Sequence, residues 1–497
     1  MLAALLLPAA ALFAKVVPAP LFQDHAVLQH GKPVPVWGTA DAGEKVAVSF
    51  AGQTLTTTAD AAGDWRVTLA PLAISAKPAT LTLRGTNTLV LNDVLVGEVW
   101  LCAGQSNMEL TLAKADNAEA ELAAARFPLI RQLRIGYKVS NIPLRTAGGK
   151  WIAASPETAG KFTAVGYFFA RELNQKLGGV PVGLINASWG GTSIEPWMSP
   201  AALAHPDFAF VEKSWQAELA DYPALQAKYE AAEAVSAAKA AEAKATGKTY
   251  RKPWRRAPAK PDGSPHEHKP TAIHYGMIHP LLPSALAGVL WYQGEGNSAL
   301  PAEYKKLFPA FITDLRASFA QPDLPFYWVQ LPAFIGGPGE DWPALREAQT
   351  AALALPHTGQ AIAIDVGAEK NIHPTNKQDV GHRLALIALR KHHGQNVIAS
   401  GPLFAGATFT GATARVSFTE IADGLVAKDG AIKGFELAGA DKKFVPADAR
   451  IEGASVIVTA DAVPAPVAVR YGWKNYSVVT LANSAGLPAA PFRSDSW

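Results

Sequence analysis

Cysteine is almost missing from this chain of 497 residues. Cys102 stands alone, so an intramolecular disulfide is impossible and cysteine-rich zinc modules are excluded. Excess charge is missing too. Forty-five Lys and Arg face 42 Asp and Glu, and a formal net charge of +3 cannot make the whole surface a polyanion binder. No nucleic-acid partner is expected. P-loop and dinucleotide fingerprints are absent, and no His, Asp and Glu set shows ligand spacing. His266 and His268 lack evident partners, so neither a metal nor another cofactor is expected. No apolar run reaches the ~20 residues that span a bilayer. The nearest is Met1 to Ala14, ahead of Lys15. It reads as a secretory signal with small Ala14 as the last residue removed, which implies a secreted or periplasmic protein without membrane insertion.

What is present is an ordinary globular composition, 49% hydrophobic and 18% charged, in a chain long enough for several domains. Residues 15–95 read as short strands of a β-sandwich. Lys45 to Phe50 and Ala79 to Leu83 alternate, and Asp41-Ala-Gly and Ala62-Gly-Asp supply turns. Over residues 96–395 apolar strands end in glycine-rich turns and alternate with amphipathic helices. The expected strands are Val99 to Leu101, Val182 to Ala187, Gly288 to Tyr292, Pro325 to Leu331 and Gln360 to Val366. The expected helices are Val165 to Leu177, Tyr304 to Phe319 and Gln378 to His393. This alternation predicts an α/β domain whose parallel sheet is covered on both sides. Residues from about 204 to 270 interrupt it as an insertion, with a long solvated helix from Pro223 to Thr246. The basic stretch Lys248 to Arg256, which carries Tyr250 and Trp254, reads as a solvated surface loop. Residues 396–497 return to a β-rich pattern.

The chemistry concentrates where strands should end. Gly104-Gln-Ser-Asn-Met108 follows the first strand of the α/β region, and a small residue before a tight turn lets Ser106 project toward a base. The second strand ends in Asn186-Ala-Ser-Trp-Gly-Gly-Thr192, where Gly190 or Gly191 offers an unobstructed amide. The third ends in Trp291-Tyr-Gln-Gly-Glu-Gly-Asn297, which puts an amide and a carboxylate at the same edge. Asn371-Ile-His-Pro374 precedes the last helix, and with a serine at the equivalent edge His373 reads as a base.

These motifs resemble the sialate O-acetylesterase-like carbohydrate esterases of the SGNH-hydrolase superfamily. The resemblance rests on Gly97 to Met108, Trp189-Gly-Gly-Thr192 with Glu195 and Trp197, Trp291 to Glu295, and Ile372-His-Pro374 with Asn376-Lys377. It extends to Val27-Leu-Gln29 and Val36-Trp-Gly38 near the start and to Val469 to Trp473 near the end. It implies an SGNH-type three-layer αβα domain, flanked here by the two β-rich regions, that removes acetyl groups from sugar hydroxyls. Ser106 would attack the acetyl carbonyl, and His373 would take its proton. The Ser106 amide, a Gly190 or Gly191 amide and the Gln293 side chain would hold the oxyanion.

An acid partner for His373 is not where the superfamily often places it, because Lys370 and Asn371 occupy those positions. Glu295 is the first choice and Asp365 the alternative; without either, the site runs as a dyad. Trp189, Trp197 and Tyr292 lie near the motifs and suit sugar stacking, with Gln105, Glu195 and Asn297 as neighbouring polar groups. Trp291, inside a strand, is equally suited to the core. A lipase or thioesterase lacks support because no apolar lid sequence appears, and a non-catalytic glycan binder would not need the serine and histidine. The acetylated sugar and the oligomeric state are not readable.

Overall fold

A computed structural model describes residues 15–497 apart from Trp254. The expected signal segment, Met1 to Ala14, lies outside the described residues, as does Trp254 of the basic stretch.

The first region is antiparallel. Val34–Thr39 pairs with Val17–Pro18 and Asp64–Leu69, while Lys45–Phe50 pairs with Gln53–Thr58 and Ser75–Arg84. Every second residue of Val34–Thr39, Lys45–Phe50 and Asp64–Leu69 is buried, as expected for strands with one face on a core.

Strand β1, Thr88–Gly104, is 17 residues long and belongs to both this region and the central sheet. Its start pairs antiparallel with Ser75–Arg84, and its end lies between parallel strands. Burial alternates up to Asp93 and is then continuous from Val94 to Gly104, the mark of a strand covered on both faces. The expected boundary between residues 95 and 96 falls inside it.

The central sheet adds β2 (Phe127–Arg134), β3 (Trp151–Ala154), β4 (Val182–Ser188), β5 (Gly288–Tyr292), β6 (Phe326–Val329) and β7 (Thr358–Ala361). Their order is β3-β2-β4-β1-β5-β6-β7, parallel throughout except for edge strand β3. Strand β7 stops at Ala361, short of the expected Val366. Asp365 therefore lies not at a strand end but in a turn of 3₁₀ helix, Ile364–Val366.

Helices α1 (Ala164–Lys176), α2 (Tyr222–Ala245), α3 (Pro301–Ser318), α4 (Trp342–Ala351) and α5 (Gln378–Lys391) follow the apolar spacing. Thr163 caps α1 by accepting the Gly166 amide, and Gly178 and Gly179, at φ +70° and +89°, end it. On one sheet face Trp100 packs against Phe169 of α1, with ring centroids 4.9 Å apart. On the other, Trp291 meets Phe311 of α3 at 4.6 Å. Gly381 lets α5 lie close to α1, since a Cβ there would sit 2.6 Å from the Phe168 Cβ.

Helix α2 buries only Ser236 of its 24 residues. The basic stretch folds back on the insertion's helices. Lys252 pairs with Glu233, Arg255 donates to the Ser236 hydroxyl at 2.7 Å, and Arg256 meets Glu218 at 3.0 Å. Residues 403–493 form antiparallel sheets around a second apolar cluster, which Ala333, Ile362 and Ile364 of the α/β region complete.

Candidate active site

In an open parallel sheet, groups gather beyond the carboxyl ends of the strands where the order reverses. That point is β1, whose neighbours β4 and β5 run on to opposite sides. Gly104, at φ +129°, turns the chain here, and a Cβ at this position would lie 2.2 Å from the Tyr292 carbonyl oxygen. Glycine is therefore required. The Gln105 amide donates to that carbonyl at 2.9 Å, and the Trp189 amide donates to the Gly104 carbonyl at 2.9 Å. The turn is thus tied to both neighbouring strands before Ser106 opens a four-residue helix.

His373 reaches Ser106 from the loop before α5, with Nε2 2.7 Å from Oγ. Asn371 shapes that loop through backbone bonds. Its side chain accepts from the His373 amide at 3.0 Å and donates to the His373 carbonyl at 2.8 Å. Burial holds the His373 pKa below the ordinary histidine value; Lys377 adds to this and Glu109 opposes it.

Neither expected acid touches the ring. Asp365 is held by Arg383 at 2.7 and 2.8 Å and by Lys428 at 3.2 Å. These charges hold its carboxyl below the usual range despite burial. Glu295 is buried and accepts from Asn107 Nδ2 at 2.6 Å. The same Asn107 amide donates to the Ile372 carbonyl at 2.9 Å, and its oxygen receives Lys377 Nζ at 2.6 Å. Burial pushes Glu295 up and Lys377 down to about 7, so both lean toward their neutral forms. The carboxylate choices are corrected accordingly. Among the described residues His373 Nδ1 has no hydrogen-bond partner, and Glu295 acts on the loop through Asn107.

The oxyanion donors divide. The Ser106 and Gly191 amides have no hydrogen-bond partner among the described residues. The Gly190 amide instead donates to Glu109 at 2.9 Å. Gln293 is fully buried, and its amide hydrogens go to Asn297 at 2.8 Å and the Thr192 carbonyl at 3.3 Å. Tyr304 donates to its oxygen at 3.0 Å. Gln293 therefore braces the turn and has no donor left for an oxyanion.

Of the expected sugar-facing groups, Trp197 and Tyr292 are fully buried. Trp197 donates to the Thr192 hydroxyl at 3.0 Å, and the Tyr292 ring lies beneath Lys377. Both belong to the core. Gln105 is also buried and accepts from the Gly296 amide at 3.0 Å. Trp189 remains accessible and stacks on Tyr137, ring centroids 4.5 Å apart. Glu195 and Asn297 are joined at 3.0 Å and line a cavity of about 220 Å³ with Trp215, Arg256 and His268 of the insertion. Burial holds His268 near 3, so it is neutral around pH 7.

Sequence reasoning missed Glu109 and Tyr137. Glu109 accepts from Arg134 at 3.0 Å and from the Tyr137 hydroxyl. Three residues past Ser106 on the same helical turn, it was visible in principle; Tyr137 carried no signal.

The site is that of a carboxylic ester hydrolase, and comparison with known proteins agrees. The model of the carbohydrate esterase family described as sialic acid-specific acetylesterase matches residues 96–220 and 267–390, leaving out most of the insertion. The rat sialate O-acetylesterase is 32% identical over 74% of this chain and 72% of its own length. The human enzyme is 31% identical over 74% and 69%. The crystal structure of a carbohydrate acetylesterase from Xanthomonas citri is 39% identical with a TM-score of 0.81, covering 97% of this chain and all of that one. The chain belongs to the sialic acid-specific acetylesterase family of carbohydrate esterases.

Proposed function

We propose that this enzyme removes O-acetyl groups from sugars by acyl transfer through Ser106, on an SGNH-type three-layer domain flanked by β-rich regions. The observation that carries the reading is the 2.7 Å contact between Ser106 Oγ and His373 Nε2 at the sheet's switch point. Ser106 Oγ attacks the acetyl carbonyl carbon while His373 Nε2 takes its proton. The free amides of Ser106 and Gly191 face the charge that develops on the carbonyl oxygen. The bond to the sugar oxygen then breaks, and His373 returns the proton to that oxygen. Water, activated by the same imidazole, attacks the acetyl-serine and releases acetate. Glu109 supplies negative potential near the imidazolium without bonding to it. The stacked Trp189 and Tyr137 rings suit the apolar face of a sugar.

The test is acetate release from acetylated xylan, acetylated mannan and O-acetyl sialic acid, with mass detection of an acetylated Ser106 after rapid quench. Release from at least one sugar with the acetyl mark on Ser106 is expected; no release from any of them overturns the reading.

His373 must be neutral to accept the proton, so activity rises with pH through its pKa. Because burial depresses that pKa, the acid limb of kcat/KM should lie below pH ~6.5, the ordinary histidine value. Glu109→Gln removes an anion that favours the imidazolium, so the limb should move to still lower pH. A wild-type limb above pH 7, or an upward shift in the variant, contradicts this assignment.

A further inference from the structure

Glu98 lies in β1 with 1% of its surface exposed, and an isolated carboxylate inside a sheet is costly. One oxygen, Oε2, takes the indole N–H of Trp100 at 2.9 Å. The other, Oε1, makes no hydrogen bond, and neither does the buried Nε2 of His393. Three ring nitrogens nevertheless converge on Oε1: His393 Nε2 at 3.1 Å, His30 Nε2 at 3.7 Å and His392 Nε2 at 3.8 Å. The last two are too long for hydrogen bonds. They match a different distance. In a tetrahedral zinc site with bonds of 2.0–2.1 Å, neighbouring donor atoms stand roughly 3.3 Å apart. One ligand atom each from Glu98, His392 and His393 lie within 4.8 Å of one another.

We propose that Glu98, His392 and His393 bind one divalent cation of the zinc class, with water completing the shell. Imidazole nitrogens with a single carboxylate suit zinc over magnesium or calcium, which favour all-oxygen shells. The Trp100 indole and the three imidazoles are the polar groups that face the Glu98 carboxylate. Lys32, which also faces Glu98 electrostatically, keeps its amine on the Leu286 carbonyl at 2.8 Å.

The ligands come from two places, strand β1 and the end of α5, with His30 beside them in the turn after Val27–Gln29. Glu98 is six residues before Gly104, or roughly 20 Å along the strand. The cation is therefore a structural staple, remote from Ser106. No sequence spacing reveals it, because residues 30, 98 and 392 meet only through the fold.

The decisive experiment uses the full chain without a histidine tag, stripped with a chelator. Added Co²⁺ should give the visible absorption of a tetrahedral N/O site at one equivalent per chain, and Zn²⁺ should displace it and raise Tm. Turnover of p-nitrophenyl acetate at 25 °C should not change. His392→Ala and His393→Ala should each weaken zinc binding by at least about 100-fold. His382→Ala, an exposed histidine paired with Glu172, should leave it intact. The wild-type cobalt spectrum needs no variant to fold. No stoichiometric cobalt or zinc binding below millimolar concentration overturns the proposal. So does binding that survives the His392→Ala/His393→Ala double substitution.

Discussion

Ser106→Ala is expected to lower kcat on p-nitrophenyl acetate about 10⁶-fold, His373→Ala to lower it as far, and the double variant to add little. The near-identity of the three losses is the informative part. On the proposed mechanism Oγ and Nε2, 2.7 Å apart, act as one unit, so removing either should leave the other idle. The remaining rate would then come from the Ser106 and Gly191 amides and from binding, which neither substitution removes. The fold should survive both changes. Among the described residues Ser106 Oγ makes one side-chain hydrogen bond, to His373, and the loop carrying His373 is held by Asn371 and Asn107 through backbone groups. Kinetics must therefore be read beside thermal melts that match wild type. A tenth of the wild-type rate in either single variant removes Ser106 or His373 from the chemistry.

Asn107→Ala is the second large effect, and it strikes stability and rate together. This fully buried side chain serves the Glu295 carboxylate, the Lys377 amine and the Ile372 carbonyl at once. Its removal strands two buried side-chain groups and one half-buried carbonyl, each worth about 1–3 kcal/mol. The full sum is not reached, because Lys377 titrates near 7 and Glu295 is raised, so the pair can neutralise by moving a proton. A loss of about 3–5 kcal/mol in urea unfolding is expected. The Ile372 bond is also what fixes the residue before His373. A shift of about 1 Å in the base costs on the order of 100-fold in kcat. Asp365→Asn is the contrast: it weakens the Arg383 and Lys428 pairs and so stability, yet should keep kcat within a few-fold. An Asn107→Ala enzyme with unchanged kcat and unfolding midpoint would show that the network does not position the base.

Ser106 and His373 were legible in the sequence because each stands in a turn flanked by strongly patterned elements. Strand β5 was legible for the same reason: Gly288 to Tyr292 is apolar and bounded by turns, and the structure starts and stops there. Strand β2 was not, because Pro128, Arg131 and Gln132 break its pattern; the buried Arg131 is satisfied by Asp93 and by the Pro128 carbonyl. The acid was misjudged for a related reason. Asp365 and Glu295 were placed at the correct edge, but an edge does not say which partner a carboxylate faces. Arg383 claims the first and Asn107 the second. Trp197 and Tyr292 were assigned to sugar by proximity along the chain, whereas adjacent side chains in a strand or tight turn point to different sides, and these two point inward. Gln293 failed likewise, its donors consumed by Asn297 and Thr192 within the turn.

The unbroken run of β1 from Thr88 to Gly104 also decides how the molecule can move. Two bodies joined by a flexible tether can clamp around a polymer; two bodies sharing one strand cannot, since there is no hinge to bend. Any rotation of the first region toward the nucleophile would have to shear the hydrogen-bond ladder on both sides of β1. The first region is therefore fixed in place relative to Ser106. The insertion is attached differently: its long outer helix buries only Ser236, and its Arg256 and His268 border the cavity beside Glu195 and Asn297.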